Sequence, residues 1–120
     1  MLTLHQAQAI AAAAAVEAES LGMPVALAVV DHYCAVVLAL RLDGARHSSL
    51  TSARSKAEIA AMAATETEYL IHPEWLALLD GGVPVYVSGR LAGGVGVCGA
   101  QPEVNERVAR AGLAALALAS

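Results

Sequence analysis

Four histidines, a single lysine, two cysteines and a handful of arginines are the residues of this sequence that could do chemistry. Heme iron takes an axial donor, usually an imidazole, inside an apolar slot. His5 falls in a first helical turn and His72 precedes Pro73, where it caps a helix; His32 falls in a turn between strands. His47 stands just before the second helix and behind the segment Arg41 to Ala45, which makes it the candidate ligand-pocket and metal-ligating histidine. Arg41 offers a fork that can hold a carboxylate through two parallel hydrogen bonds; the plainer reading is an ion pair with Asp43 or Asp31. Lys56 is the only lysine, and an amine in an apolar pocket can act as a base or Schiff-base nucleophile; the plainer reading is a solvated or ion-paired helix residue. Cys98, beside glycines, can be a nucleophile or proton donor, or an inert core residue. Tyr33 can donate to a carbonyl, or simply pack in its turn. The candidate catalytic residues are therefore Lys56, His47 and Cys98, and the candidate ligand-binding residues are Arg41, His47 and Tyr33.

Other chemistry is excluded by pattern. There is no Ser-His-Asp ordering, no paired-carboxylate geometry and no metal cluster, and Cys34 and Cys98 form neither a metal-ligand spacing nor a disulfide framework. Gly94-Val-Gly96-Val-Cys-Gly99 matches G-x-G-x-x-G between a strand and a helix. A dinucleotide site needs a further strand with an acidic residue about 20 positions on, and the sequence stops at Ser120. These glycines are expected instead to let their strand lie close to another backbone, or to leave room for a ligand on one face.

The elements that must position these residues follow from pattern. Residues 3–21 read as a helix: Thr3-Leu4-His5-Gln6 fits a capping box, the alanine-rich middle has high helix propensity, and Gly22 is the left-handed cap with Pro24 beyond. Pro24 to Val30 and Ala35 to Leu42 are apolar runs joined by Asp31 to Cys34, an antiparallel hairpin. Alternation is weak in both, so both faces are expected to be covered. Ser48 or Ser49 caps a second helix to about Ala64, with Leu50, Ala53, Ala57, Ala60 and Ala61 on one face. Pro73 suits the start of a short helix through Leu79, packed by Trp75. Val83 to Val87 and Leu91 to Cys98 form a second hairpin about Ser88-Gly89. A last helix starts at Pro102 with Glu103 in its first turn. The order α-β-β-α-α-β-β-α with hairpin pairing is α+β, an antiparallel sheet flanked by helices.

The chain has 120 residues, enough for one domain over residues 1–120. Hydrophobic residues make up 58% and charged residues 15%. A small monomer cannot hide that much apolar surface, so a homo-oligomer is expected. Seven Lys and Arg against eleven Asp and Glu leave a net charge of −4, with aromatics at 3%. That argues against nucleic acid, which needs a basic face and stacking rings. No segment supplies the about 20 apolar residues that span a bilayer, and no basic residue precedes the run Ala9 to Val16 as in a leader; a cytoplasmic protein without membrane contact is expected.

Several pieces in order resemble the GlcG/HbpS-like heme-binding family, which includes the C-terminal domain of PduO-type adenosyltransferases. They are Leu21-Gly22-Met23-Pro24-Val25, Val29-Val30-Asp31, Arg41-Leu42-Asp43-Gly44-Ala45, Lys56-Ala57, Gly81-Gly82-Val83-Pro84-Val85, Gly93 to Gly99, and Ala109-Arg110-Ala111-Gly112-Leu113. The resemblance implies a profilin-like or PAS-like sheet, assembly from dimers to octamers, and association with heme, corrinoid metabolism or glycolate-utilisation operons. The sequence departs from the family pattern at Tyr33-Cys34, where a Gly-Gly turn is common, at Cys98-Gly99-Ala100, at Glu103-Val104-Asn105, and in a short middle segment.

The function expected is a small-molecule-binding protein of this family, with heme or another tetrapyrrole as ligand. The alternative is a cofactor-independent isomerase, lyase or cyclase acting on a small carbonyl or carboxylate metabolite. In that case Arg41 would anchor the substrate and His47 or Lys56 would move the proton. A third reading is an accessory subunit whose assembly is its function.

Overall fold

Thr3 starts the first helix as its capping box predicts. Its Oγ1 accepts from the Gln6 amide at 3.1 Å, and Gln6 Oε1 accepts from the Thr3 amide at 2.9 Å. In this computed structural model, which describes residues 1–66 and 81–119, α1 runs Leu4–Ser20. It ends in a Schellman motif: Met23 N–H donates to the Ala18 carbonyl and Gly22 N–H to that of Glu19, both at 3.0 Å. β1 is Ala26–Asp31, β2 Val36–Arg41, α2 His47–Glu66, β3 Gly82–Val87, β4 Arg90–Cys98 and α3 Pro102–Ala119. The short helix expected about Pro73, with His72 and Trp75, lies outside the described residues.

The strands form one antiparallel sheet in the order β2-β1-β4-β3, so the fold is α+β with helices on both faces. The two hairpins meet through β1 and β4, with Ala26 opposite Cys98 and Val30 opposite Gly94. Alternate residues of β1 point to opposite faces. Val25, Leu27 and Val29 join Val83, Val85, Val95 and Val97 under α1 and α3, where Ile10, Val108 and an alanine face complete the larger core. Ala26, Ala28 and Val30 face α2 and meet Ala53, Ala57 and Ala61.

Side chains on the α2 face of the sheet are small for a geometric reason. A Cβ placed on Gly96 would overlap the Ala53 carbonyl oxygen, and one on Gly94 the Ala57 carbonyl oxygen. The Gly-x-Gly pair thus lets the backbone of α2 lie against β4, as expected of these glycines, and it is packed rather than open to a phosphate.

Two local expectations need correction. α2 begins at His47, not after a Ser48 or Ser49 cap, because the Asp43-Gly44 reversal is closed by Ala45 N–H on the Leu42 carbonyl (3.1 Å) and the helix follows at once, with Ser49 N–H on the Arg46 carbonyl (3.1 Å). β1 is buried on both faces, but β2 is only half covered because it forms a sheet edge. The β1–β2 turn, where the family pattern favours Gly-Gly, places Cys34 at φ +62°; Asp31 Oδ1 holds the turn by accepting from the amides of Tyr33 (2.9 Å) and Ala35 (3.1 Å).

Candidate functional site

The end of the sheet at which β1 starts, and at which β2 and β4 finish, is also where α2 begins. Ala26 pairs with Arg41 on one side and Cys98 on the other. Directly opposed residues share a face, and strands lie about 4.8 Å apart, so Arg41 and Cys98 are separated by roughly 10 Å on the α2 face. A concavity with two lobes opens here. The larger, about 590 Å³, is lined by Glu19, Gly22, Met23, Pro24 and the segment Arg41 to Gly44. The smaller, about 400 Å³, shares Pro24 and Gly44 and adds Arg46, Ser48, Ser49, Ser52 and Cys98.

Arg41 is exposed in the larger lobe. Its Nη1 donates to the Ala45 carbonyl at 3.1 Å, which ties the guanidinium to the loop ahead of α2. No described carboxylate pairs with it, so the expected ion pair with Asp43 or Asp31 is absent among the described residues. The rest of the fork is open to a ligand anion. His47 is the first residue of α2 and exposed, between Arg46 and Ser48, which both line the smaller lobe. His47 itself lines neither lobe. Cys98 is half-buried in the smaller lobe. Lys56 is half-buried on α2 and its ammonium donates to the Val97 carbonyl at 3.1 Å, so one of its three donors is occupied by backbone.

Tyr33 does not join this group. It is 77% exposed in the β1–β2 turn, at the far end of the hairpin from Arg41. Val36 to Arg41 is five residue steps of strand, roughly 17 Å at about 3.3 Å per residue. Antiparallel pairing separates a hairpin's turn from its open ends by the strand length, so Arg41 and Tyr33 cannot hold one small ligand within a single chain. His32 shares that turn, with its ring centroid 4.0 Å from that of Tyr33 and its Nδ1 buried without a hydrogen-bond partner. Close by, the Cys34 thiol reaches the Glu58 carbonyl at 3.8 Å. Burial raises the pKa of that thiol, and the carboxylates of Glu58 and Asp31 raise it further.

Sequence reasoning passed over Met23, Pro24, Arg46, Ser48, Ser49 and Ser52 as site residues. The serines read as caps and Met23-Pro24 as a helix exit; only the pairing of β1 with both neighbours brings the three segments to one place. The available signal was a run of serines behind an arginine, with no acidic residue in the first turn of α2.

Residues 2–114 match the family model described as Haem degrading protein HbpS-like. Among solved structures, protein ORFY of Klebsiella pneumoniae is 26% identical, with a TM-score of 0.82 over 97% of this chain and 90% of that one. HbpS of Streptomyces reticuli, solved as a double mutant, is 35% identical, with a TM-score of 0.76 over 94% of this chain and 85% of that one. The PduOC:Heme complex, 24% identical, shares the fold at a TM-score of 0.79 over 95% and 94%. No curated protein sequence matches.

Proposed function

Because this chain belongs to the HbpS-like family, we propose that it is a small-molecule-binding protein whose ligand is heme or another tetrapyrrole. The observation that carries the reading is the larger lobe, where an open arginine fork stands beside apolar side chains at the end of the sheet.

The residues present fit what a tetrapyrrole presents. Its flat ring needs an apolar wall, and Met23, Pro24 and Leu42 offer one. Its carboxylate arms need cations, and Arg41 lines the larger lobe and Arg46 the smaller. A metal in the ring needs a donor, and the imidazole of His47 is the nearest histidine in sequence to these arginines. When bound, heme would supply an iron centre for ligand or electron chemistry. Arg41 would orient the ring through its edge, and Pro24 with Leu42 would keep water from one side of it.

The protein is further proposed to be a cytoplasmic homo-oligomer. Val16, Val36, Met62 and Tyr86 are exposed apolar side chains on its outer surfaces, and among the described residues no helix is long and apolar enough to cross a membrane. A monomeric mass by light scattering at micromolar concentration would refute the assembly.

The test of ligand identity is a hemin titration followed by absorbance. A saturable Soret shift at one heme per subunit or per dimer, weakened in His47→Ala, supports the reading. The absence of any specific shift overturns it.

A further inference from the structure

We propose that the outer edge of β2 is an interface between two copies of this chain, joined antiparallel about a two-fold axis at Ala39. β2 closes one side of the sheet, and among the described residues no strand pairs with its outer edge. Hydrogen bonds fix which of its backbone groups face outward. Leu42 N–H donates to the Val25 carbonyl at one end of the hairpin, and Asp31 N–H to that of Ala35 at the other, both at 2.9 Å. Antiparallel ladders alternate between bonded and non-bonded pairs, and Leu40 stands opposite Leu27, Ala39 opposite Ala28 and Leu38 opposite Val29. Leu38 and Leu40 therefore turn their backbone groups to β1. Ala39 and Arg41 turn theirs outward, as does Val36 beyond the register shift at Val29/Val30, and all three residues are exposed. The opposite edge of the sheet is built differently. Val97 N–H donates to the Gly81 carbonyl at 2.9 Å, and the same alternation along β3 puts Gly82 and Pro84 outward. Pro84 has no N–H to offer, which blocks strand addition at that edge. β2 holds no proline, so one edge is guarded and the other is open.

The side chains of β2 suit a second copy of β2. Val37, Leu38 and Leu40 are only partly buried against the larger core, so a strand added beside them brings its own leucines to complete that layer. Ala39 on the axis sets a small side chain against its own mate. Arg41 is the one charged residue of β2. The antiparallel joint holds the two copies of Arg41 four residue steps apart, roughly 13 Å along the strand, whereas a parallel joint would set them side by side. The same joint lays the partner's turn alongside Leu42 and Asp43, where Tyr33 and Val36, 77% and 45% exposed in the single chain, find cover. Each copy contributes the same patch, so the contact closes on itself and the two four-stranded sheets become one. The inference rests on the homo-oligomer reading and deepens it by naming the surface.

The experiment is the mass of the full chain by light scattering at micromolar concentration, for the parent and two variants. Ala39→Pro removes an outward N–H that β1 does not use. Ala39→Lys changes an exposed side chain of the single chain and sets two ammonium groups opposite each other across the axis; it decides alone if the proline variant does not fold. The expected result is an assembled parent, and variants at half its mass or less with the parent's far-UV circular dichroism, because a closed symmetric assembly divides when one self-complementary contact is lost. Capture reads the register. Residues opposed in a hydrogen-bonded antiparallel pair have Cα atoms about 5.5 Å apart, within the reach of a disulfide. Ala39→Cys, in a chain that also carries Cys34→Ser and Cys98→Ser, should therefore form a covalent dimer under a mild oxidant. An assembled parent whose mass both variants keep, or an assembled Ala39→Cys protein that does not cross-link, overturns the joint at this edge and leaves the homo-oligomer reading in place. A monomeric parent overturns both. None of these readouts involves hemin, so the ligand reading stands or falls separately.

Discussion

Lys56 Nζ lies 3.1 Å from the carbonyl oxygen of Val97 and donates to it, across 41 residues of sequence. Val97 in turn donates its own N–H to the Gly81 carbonyl at 2.9 Å. The chain's only lysine therefore fastens α2 to the end of β4 next to Cys98. Lys56→Met keeps the aliphatic stem and removes this charge-assisted bond. It should lower stability by about 1–2 kcal/mol in urea unfolding and leave hemin affinity unchanged. Unchanged stability together with lost binding would place the ammonium in the ligand site instead.

Gly96 is the tightest test of how α2 sits on the sheet. Its missing Cβ is what allows the Ala53 carbonyl oxygen to approach. Gly96→Ala must push the helix outward and should cost about 3 kcal/mol or more, above the ordinary range for overpacking because the obstacle is backbone. Thermal unfolding measures it; a loss below about 1 kcal/mol would mean that α2 moves freely on β4.

Ser88 sits at φ +53° and Gly89 at φ +77° in the β3–β4 turn, the left-handed pair that a two-residue hairpin favours. Asparagine adopts that conformation more readily than serine. Ser88→Asn should therefore raise stability by roughly 0.5 kcal/mol, seen as a higher unfolding midpoint with the same denaturant dependence.

Tyr33 and Arg41 stand at opposite ends of one hairpin, and their variants should separate accordingly. Tyr33→Phe should leave hemin affinity as it was. Arg41→Lys should weaken it about tenfold, because an ammonium cannot replace the fork. Equal effects would mean that a second subunit brings its own turn to the ligand.

Cys34 carries a pH dependence whose sign follows from its surroundings. Burial, then the carboxylates of Glu58 and Asp31, hold its thiol protonated to higher pH than in the unfolded chain. That contribution to stability is whole below the ordinary thiol pKa and is lost as pH rises through the elevated folded value. Melting temperatures of the parent and Cys34→Ser should therefore diverge most at neutral pH and converge under alkaline conditions. A constant difference across that range would show that the thiol titrates normally.

Much of this molecule is written in short-range pattern. The capping box at Thr3, the helix exit at Gly22, both hairpins, the Pro102 start of α3 and the packed reading of Gly94 and Gly96 all rest on local backbone preference and side-chain size, which act within a few residues. Periodicity and turn chemistry thereby determined the element order, and the order of weak motifs pointed to the family. What only the tertiary structure decided is which segments meet. β1 pairs with both β2 and β4, and that register sets Arg41 and Cys98 at one end and carries Tyr33 to the other. Register between strands is a property of the packed sheet, because each strand settles where its neighbours bury its face, and residues 26, 41 and 98 hold no local sign of one another.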